Sequence, residues 1–348
     1  MRIHELDTPA VVCDLDVLEH NIRDMAKRCR DLEIPLRCHI KSHKLPDIAH
    51  MQLAAGAAGV CCQKLGEAET MVNAGIHDIF IPFNIVGPTK IERLWRLARR
   101  ANITVAIDSL ATAQGISEGF DKKMGATVRA LVELDTGGQR CGVQSPQDAL
   151  TLARQLVDLP GIDLQGVATF PSQPRARSFL DETVTLLRNN GITVNVISGG
   201  GTGSEAISKE LGCTETRSGS YVWEGLSRIQ SSNDLSPKRC PIRLITTVVS
   251  TPTSDRIIID GGMKTFASYP PNPYGHCVEH PEIKIYTMSV EHGHVDVSAS
   301  QHTFKVGERL SIIPLHAGMT VNMHDEVVGY RGDQAEVFWP LAGRGKVK

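Results

Sequence analysis

The stretch T-V-N-V-I-S-G-G-G-T-G-S, residues 193–204, places a short apolar run directly before a cluster of glycines. A run of this length, rich in β-branched residues, predicts a buried strand. Similar runs recur between residues 36 and 218, which gives eight predicted strands in all. They are Leu36–Ile40, Gly59–Cys62, Asp78–Pro82, Ile103–Ile107, Thr127–Glu133, Leu164–Ala168, Thr193–Ile197 and Thr214–Arg217.

Helical patterns separate these strands, with apolar residues at helical spacing. Examples are Lys64–Asn73, Thr89–Arg100, Pro146–Leu156 and Phe179–Asn190. Eight repeats of an apolar strand and a helix predict the α/β class, as a closed parallel (β/α)8 barrel. An open doubly wound sheet is the alternative, but it rarely needs eight repeats.

The pattern changes near Asp234-Leu235-Ser236-Pro237, after which no long helix is predicted. Runs separated by Gly, Pro and Asn turns predict strands instead. We therefore predict two domains, a barrel over residues 1–235 and an all-β domain over residues 236–348. Pro9–Cys13 and the amphipathic Asp16–Arg30 helix stand outside the eight repeats, and the Pro9–Cys13 strand is expected to pair with the β domain. The predicted strands of that domain are Ile242–Val249, Arg256–Asp260, Ile283–Met288, Arg309–Pro314 and Ala335–Trp339.

The charge balance excludes several classes of partner. Lys and Arg number 37 against 39 Asp and Glu, a net charge of −2, so nothing predicts binding to nucleic acid or to an anionic membrane. No apolar run reaches the roughly 18 residues that span a bilayer. The first nine residues carry charges where a signal peptide needs an apolar stretch, so we expect a cytoplasmic protein.

The nine cysteines are scattered and form no C-x-x-C pair, which predicts reduced thiols rather than a zinc or redox motif.

The glycine-rich segment lies where barrels bind phosphate. Catalytic groups sit at the carboxyl ends of barrel strands, and phosphate usually binds after strands seven and eight. The seventh predicted strand opens into residues 198–204, where consecutive glycines let backbone N–H groups converge on an anion beside the start of the next helix. A flexible turn is the alternative.

A lysine follows the first predicted strand. Lys41 is surrounded in sequence by His39, His43 and Lys44. Neighbouring cations at the end of a buried strand are expected to lower the pKa of a lysine, which can then act as a Schiff-base nucleophile. A solvated basic loop is the alternative. A lysine, a phosphate loop and a barrel together predict pyridoxal 5'-phosphate (PLP) as cofactor.

Six segments occur in an order that resembles a known family. They are R-C-H-I-K-S-H-K (37–44), V-E-L-D-T-G-G-Q-R-C-G-V (132–143), S-G-G-G-T-G-S (198–204), T-R-S-G-S-Y-V (216–222), I-I-D-G-G-M-K (258–264) and V-E-H-G (290–293). They resemble the D-threonine aldolase and D-serine dehydratase family, a branch of the alanine racemase-like, fold-type III PLP enzymes. The resemblance implies a barrel with a C-terminal β domain, a small amino-acid substrate and a homodimer.

The same resemblance implies roles for individual residues. Lys41 would be the catalytic lysine that bonds the PLP aldehyde, and Arg140 would face the ring oxygen of the cofactor. An ion pair between Arg140 and Asp135 is the alternative to that role. The remaining cofactor-binding residues would be Gly200, Gly201, Thr202 and Gly203 at the phosphate, with Ser220 and Tyr221 beside the phosphate and the ring.

The family resemblance also implies a divalent metal ion (Mn, Mg or Zn), held by a histidine and a ligand two residues later. His316 is present here as a catalytic and metal-binding candidate, but Gly318 stands at the second position. Because glycine has no side chain to coordinate a cation, we expect weak metal binding at most. A packed or surface histidine is the alternative for His316. Possible substitute ligands are His324, Asp325, Glu291 and His292, or Asn322 with water.

The resemblance implies retro-aldol cleavage of a small β-hydroxy D-amino acid to glycine and an aldehyde. Dehydration to a 2-keto acid and ammonia, racemisation, and a non-catalytic PLP carrier are the alternatives. Dehydration gains most from a Lewis acid because hydroxide is a poor leaving group, so Gly318 favours C–C cleavage. The segment Ala168-Thr169-Phe170-Pro171-Ser172-Gln173 lacks the family's aromatic-x-Gly-His pattern, which predicts an altered substrate pocket.

Overall fold

The structure is a computed structural model that describes residues 1–123, 125–231, 236–267 and 274–348. The chain divides into two units, described separately below. The barrel unit contains Asp24–Lys41, Ile48–Gly219 and Lys346–Lys348, and the β unit contains Met1–Arg23, Ser42–Asp47 and Ser220–Gly345. The predicted domain boundary at residues 235 and 236 adjoins residues 232–235, which lie outside the described residues, so it stays a prediction.

The chain begins with strand β1 (Ala10–Asp14) and helix α1 (Leu15–Asp31). The helix begins where the sequence supplies a cap. Oδ1 of Asp14 accepts hydrogen bonds from the N–H groups of Asp16 and Val17, at 3.0 and 3.1 Å. These donors have no partner inside the helix, so the aspartate satisfies them.

The predicted barrel is confirmed. Eight parallel strands pair in sequence order, and the last closes on the first through Leu36 and Thr216. In chain order the elements are β2 (Leu36–His39), α2 (Pro46–Ala54), β3 (Gly59–Cys61), α3 (Leu65–Asn73), β4 (Asp78–Ile81), α4 (Pro88–Ala98), β5 (Asn102–Ile107), α5 (Leu110–Asp121), β6 (Val128–Leu134), α6 (Pro146–Val157), β7 (Ile162–Thr169), α7 (Arg177–Asn189), β8 (Val196–Gly200), α8 (Glu205–Glu210) and β9 (Glu215–Ser218).

Side chains fill the inside of the barrel. An apolar cluster takes one residue from each of five consecutive strands, β3 to β7. Its members are Cys61, Phe80, Ala106, Leu131 and Ala168. The guanidinium of Arg37 bonds Glu215 at 2.8 Å and Asp78 at 2.6 Å, which compensates for its burial.

The β unit confirms the predicted C-terminal sheet. Its further elements are α9 (Leu226–Ser231), β10 (Ile242–Thr253), β11 (Arg256–Ile259), β12 (Gly275–Cys277), β13 (Lys284–Met288), β14 (Gly293–Asp296), β15 (Arg309–Pro314), α10 (Ala317–Val321), β16 (Glu326–Arg331) and β17 (Gln334–Pro340). The strand order is β13-β14-β11-β10-β1-β16-β17, and β15 pairs with β10 and β12. Strand β1 runs antiparallel to β10 and parallel to β16. Within the described residues, every helix is too short or too polar to cross a membrane.

Candidate active site

Lys41 lies two residues beyond the end of β2, in the short 3₁₀ turn Ile40–Ser42. Ile40 beside it is fully buried, whereas the Lys41 residue is exposed. The pKa of Lys41 is lowered, first because surrounding protein partly removes the ammonium from water, and further because Arg140 and Arg217 repel its charge. An accessible amine with a lowered pKa is the state that a nucleophilic lysine needs.

The direction of this shift agrees with the sequence prediction, but the cause differs. Desolvation is the largest cause, and the cations that contribute are Arg140 and Arg217. His39 is buried, and its pKa is lowered well below the usual value, first by desolvation and then by Lys41 and Arg217. It is therefore neutral near pH 7 and adds no positive charge.

The glycine-rich segment begins inside a strand rather than after one. The prediction of Thr193–Ile197 is wrong in its bounds, because β8 is Val196–Gly200, and Gly199 and Gly200 pair with Thr216 and Arg217 of β9. A Cβ on Gly199 would lie 2.6 Å from Oγ of Ser172, and one on Gly200 would lie 2.7 Å from the carbonyl oxygen of Arg217. Close packing against these atoms therefore requires glycine at both positions, whether or not a ligand binds.

The backbone N–H groups of this segment donate largely within the protein. The N–H of Gly200 donates to Oγ of Ser172 at 2.8 Å, and that of Gly201 to the carbonyl of Arg217 at 2.9 Å. The N–H of Gly203 donates to Oε1 of Glu205 at 2.9 Å. The predicted convergence of these N–H groups on an anion is therefore not present in this arrangement. Helix α8 has only six residues, so its dipole adds little.

Arg140 is close to the glycine-rich segment through one aromatic ring. Its guanidinium lies 5.0 Å from the ring centroid of Phe170, and the same ring lies 3.6 Å from where a Cβ on Gly201 would stand. Nη2 of Arg140 lies 3.6 Å from Oε1 of Glu133, whereas Oδ1 of Asp135, the partner in the alternative ion pair, accepts the N–H groups of Gly137 and Gln139. Burial raises the pKa of Glu133, although Arg140 oppositely lowers it.

Sequence reasoning missed Arg217. This buried residue of β9 donates from Nη1 to Oγ of Ser198 at 2.6 Å and from Nη2 to the carbonyl of Thr169 at 2.8 Å. Its charge acts on both Lys41 and Glu133. The motif T-R-S-G-S-Y-V contains it, but in the sequence it is only the last residue of a predicted strand.

Ser172, Ser208 and Glu205 were also missed, and they support the glycine-rich segment from behind. Oγ of Ser208 donates to Oγ of Ser172 at 2.9 Å. Glu205 is fully buried, and Oε1 accepts a hydrogen bond from Ser218 at 2.6 Å as well as from Gly203. The polar run S-G-G-G-T-G-S-E is the sequence feature that indicates a hydrogen-bonded segment here. The partners of these residues could not be identified from it, because they come from strands that are distant in the sequence.

Ser220 and Tyr221 begin a 3₁₀ turn two residues after β9 ends. Tyr221 is buried and Ser220 is partly buried in the β unit. Within the barrel unit, the preceding Gly219 donates its N–H to Oγ1 of Thr202 at 3.0 Å. The chain leading into Ser220 is thus tied to the glycine-rich segment.

His316 precedes α10, and its Nδ1 accepts a hydrogen bond from the N–H of Met319 at 3.1 Å. A Cβ on Gly318 would lie 3.0 Å from the carbonyl oxygen of Ser42, so the second-ligand position is also crowded. Oδ1 of Asn322 is buried without a hydrogen-bond partner.

Three of the substitute ligands for His316 have other partners. His324 bonds the carbonyl of Thr265 at 3.0 Å, Asp325 pairs with Arg344 at 2.6 Å, and Glu291 pairs with Lys264 at 2.7 Å. Within the described ranges, no group of three potential ligand side chains includes His316. One imidazole and one amide oxygen do not fit a stable metal site, which normally uses three or more protein ligands.

Comparison with known proteins matches both units. Residues 13–225 match the alanine racemase N-terminal domain, and residues 242–330 match a putative serine dehydratase domain. The chain is 34% identical to D-threonine aldolase of Arthrobacter sp. and 31% identical to 3-hydroxy-D-aspartate aldolase of Paracoccus denitrificans. Each match covers 98% of this chain and 93% of the relative.

Solved structures agree with these matches. The D-threonine aldolase from Filomicrobium marinum superimposes with a TM-score of 0.93 at 31% identity, covering 100% of this chain and 98% of that one. The D-threo-3-hydroxyaspartate dehydratase from Delftia sp. HT23 gives a TM-score of 0.86 at 26% identity, covering 97% and 98%.

Proposed function

Because the chain belongs to the D-threonine aldolase and D-serine dehydratase family of alanine racemase-like proteins, we propose that it is a PLP-dependent lyase. Its substrates are small β-hydroxy D-amino acids, and the reaction is retro-aldol cleavage to glycine and an aldehyde. The observation that carries this proposal is the exposed Lys41, with its lowered pKa, at the carboxyl end of a barrel strand.

The residues present fit PLP. The backbone of Gly201 has φ +123°, a conformation that residues with a side chain rarely adopt. A Cβ at this position would lie 3.2 Å from Oγ of Ser204. This leaves the backbone bare beside the Phe170 ring, which suits close approach of a phosphate. We assign the phosphate to the Gly200, Gly201, Thr202 and Gly203 segment, with Ser220 and Tyr221 beside it. The N–H groups of the three glycines donate within the protein, so they hold the segment in place rather than bind the anion.

When bound, PLP supplies an electron-withdrawing ring that stabilises negative charge on the substrate Cα. Lys41 holds the cofactor covalently through Nζ, for which its lowered pKa supplies the neutral amine. Arg140 places a positive charge at the ring oxygen, and Glu133 orients the guanidinium from behind. His316 can transfer a proton only through Nε2, because its Nδ1 accepts the Met319 N–H.

Cleavage of the Cα–Cβ bond is favoured over dehydration by the residue at position 318. Expulsion of hydroxide depends more on a Lewis acid than C–C cleavage does. Gly318 offers no ligand atom beside His316, so the chain lacks a residue pair for that purpose. The likeness to the Delftia dehydratase nevertheless keeps dehydration as the second candidate.

We also propose that the protein is cytoplasmic, that it forms a homodimer, and that its two domains meet in the chain at residues 235 and 236.

The test is incubation of the PLP-loaded protein with D-threonine, D-serine and D-alanine, with L-threonine as the control. Aldehyde, 2-keto acid and the enantiomer of the amino acid are measured separately. Glycine and acetaldehyde in equal amounts are expected from D-threonine, and neither product from L-threonine. A 2-keto acid with ammonia would identify a dehydratase, and inversion of D-alanine without cleavage would identify a racemase.

A further inference from the structure

A second group of chemically active side chains lies in the β unit and shares no residue with the proposed PLP site. It consists of His280, His302 and Glu308, whose potential ligand atoms all lie within 4.8 Å of one another. None of the three belongs to a segment from which the function was inferred. We name them the His-His-Glu cluster.

The strand register explains why these residues meet. Strand β12 runs antiparallel to β15, with Cys277 opposite Ile312, and the N–H of Val278 donates to the carbonyl of Ser311 at 2.9 Å. Moving forward from Cys277 to His280 therefore corresponds to moving back from Ile312 towards Glu308. The sheet places the histidine and the carboxylate side by side.

The orientation of the cluster is fixed by its neighbours. The rings of His280 and His302 stack with their centroids 4.7 Å apart, and the buried Phe304 packs edge-on against both, at 4.9 and 4.8 Å. Oε2 of Glu308 accepts the N–H of Lys305 at 3.0 Å, so its Oε1 points to Nε2 of His302, 2.7 Å away.

The donor set and spacing suit a transition-metal ion. Two imidazoles and a carboxylate are ligands typical of zinc, with bonds of about 2.0–2.2 Å. The potential ligand atoms of the three side chains lie within 4.8 Å of one another, so small side-chain adjustments would bring them around one ion. The side chain of His302 is 43% exposed, so an ion can enter from solvent and keep water as its remaining ligand.

We propose that His280, His302 and Glu308 bind a divalent transition-metal ion, zinc foremost, with water in the fourth position. The ion joins the loop after β12 to the loop before β15 and stabilises this part of the sheet. Glu282, with Oε1 3.5 Å from Nδ1 of His280, orients that ring. The proposal is independent of the proposed lyase function.

The test uses the full-length protein after treatment with a chelator, without substrate. Zinc is titrated by calorimetry, and the thermal unfolding midpoint is measured with and without zinc. Cobalt(II) serves as a coloured substitute whose spectrum separates nitrogen and oxygen ligands from thiolates. His302→Ala removes one ligand, and Glu308→Gln keeps the shape of the side chain while removing its charge. His77→Ala, at an exposed histidine of the barrel unit, is the matched control.

Wild type and His77→Ala are expected to bind one zinc ion and to unfold at a higher temperature with it. His302→Ala and Glu308→Gln are expected to lose about 100-fold in affinity, since even residues that only orient a ligand contribute about 10–100-fold. They should also lose the zinc-dependent rise in midpoint. Equal zinc affinity in wild type and both variants, a thiolate spectrum with cobalt, or no binding by the wild type would each overturn the proposal.

Discussion

The backbone N–H of Gly203 donates a hydrogen bond to Oε1 of Glu205, 2.9 Å away, although Glu205 is a fully buried carboxylate beside the proposed phosphate site. The same oxygen accepts the hydroxyl of Ser218 at 2.6 Å, and Oε2 lies 3.6 Å from Nε of Arg28. Glu205 thus ties the glycine-rich segment to the end of β9. We infer that it is a positioning residue for the proposed PLP site.

Glu205→Ala is expected to weaken PLP binding at least tenfold and to lower the free energy of unfolding by about 3–6 kcal/mol. Both effects follow because two donors lose a charged acceptor, and each such hydrogen bond contributes about 1.5–3 kcal/mol. PLP titration well below the unfolding midpoint and denaturant unfolding measure the two effects. Glu205→Gln, which keeps an acceptor oxygen, should restore most of the PLP affinity. Glu210→Ala, at the exposed end of α8, is the control.

Lys41 is predicted to carry the covalent link to PLP. Borohydride reduction of the PLP-loaded protein should fix the label on the peptide containing Lys41, and Lys41→Ala should lose both the label and the visible absorbance. Because the pKa of Lys41 is lowered, PLP capture should persist to a lower pH than for a free lysine amine, whose pKa is about 10.4. A label found on the buried Lys44 would contradict the assignment.

Gly201→Val is predicted to weaken PLP binding more than it weakens folding. A Cβ at Gly201 would stand beside Phe170 and block approach of a phosphate to the backbone. Gly191→Val is the matched control, because Gly191 also has a positive φ, +74°, but has nothing near its Cβ position. Both variants should lose similar stability in denaturant, and only Gly201→Val should bind PLP poorly. Equal PLP affinity in the two variants would exclude Gly201 from the site.

The barrel could be predicted from the sequence because its strands are local apolar runs. The expected Ile103–Ile107 and the observed Asn102–Ile107 differ by one residue. Strands β8, β14 and β16, which contain glycine, were shifted or missed, because glycine indicates a turn when the partner strand is unknown. Gly293 and Gly329 lie in β14 and β16, neither of which was predicted, and a Cβ on either would lie 2.6 Å from a side chain of the neighbouring strand.

A residue of the candidate site could be predicted only where its position next to a predicted strand indicated its role. Lys41 was identified because it follows a strand, and its exposure and lowered pKa fit that prediction. Arg217 and Glu205 act through contacts with residues that are distant in sequence, such as Thr169 and Ser218. No spacing rule along the chain could have paired them.

The loop at His316 is predicted to bind a divalent ion weakly. Activity should therefore be less sensitive to chelation than in relatives that have a full ligand pair, because Gly318 supplies no donor. Dialysis against EDTA, followed by the D-threonine assay and metal analysis, measures this. His302→Ala is assayed in parallel, so that loss of an ion from the His-His-Glu cluster is not mistaken for loss at His316. Complete loss of activity that one divalent ion restores at stoichiometric amounts would show that His316 has a ligand we did not identify.

Alkaline pH is predicted to destabilise the fold through its buried thiols. Burial raises the pKa of Cys29 to about 12, with Glu205 adding to the shift, whereas an unfolded thiol has a pKa near 8.5. The folded state thus holds a proton that the unfolded state releases, so the stabilisation is complete below pH ~8.5 and falls as pH rises towards the folded-state pKa. Each such thiol contributes a slope of about 1.4 kcal/mol per pH unit in that window.

Cys29→Ala should flatten this slope by up to that amount, although it lowers stability at every pH because a buried side chain is removed. Denaturant unfolding between pH 7 and pH 10.5, under reducing conditions, measures the slope. Cys141→Ala is the control, because Cys141 is the cysteine that is not buried and its thiol should contribute less. Equal slopes in wild type and Cys29→Ala would mean that Cys29 ionises in the folded protein as readily as in the unfolded chain.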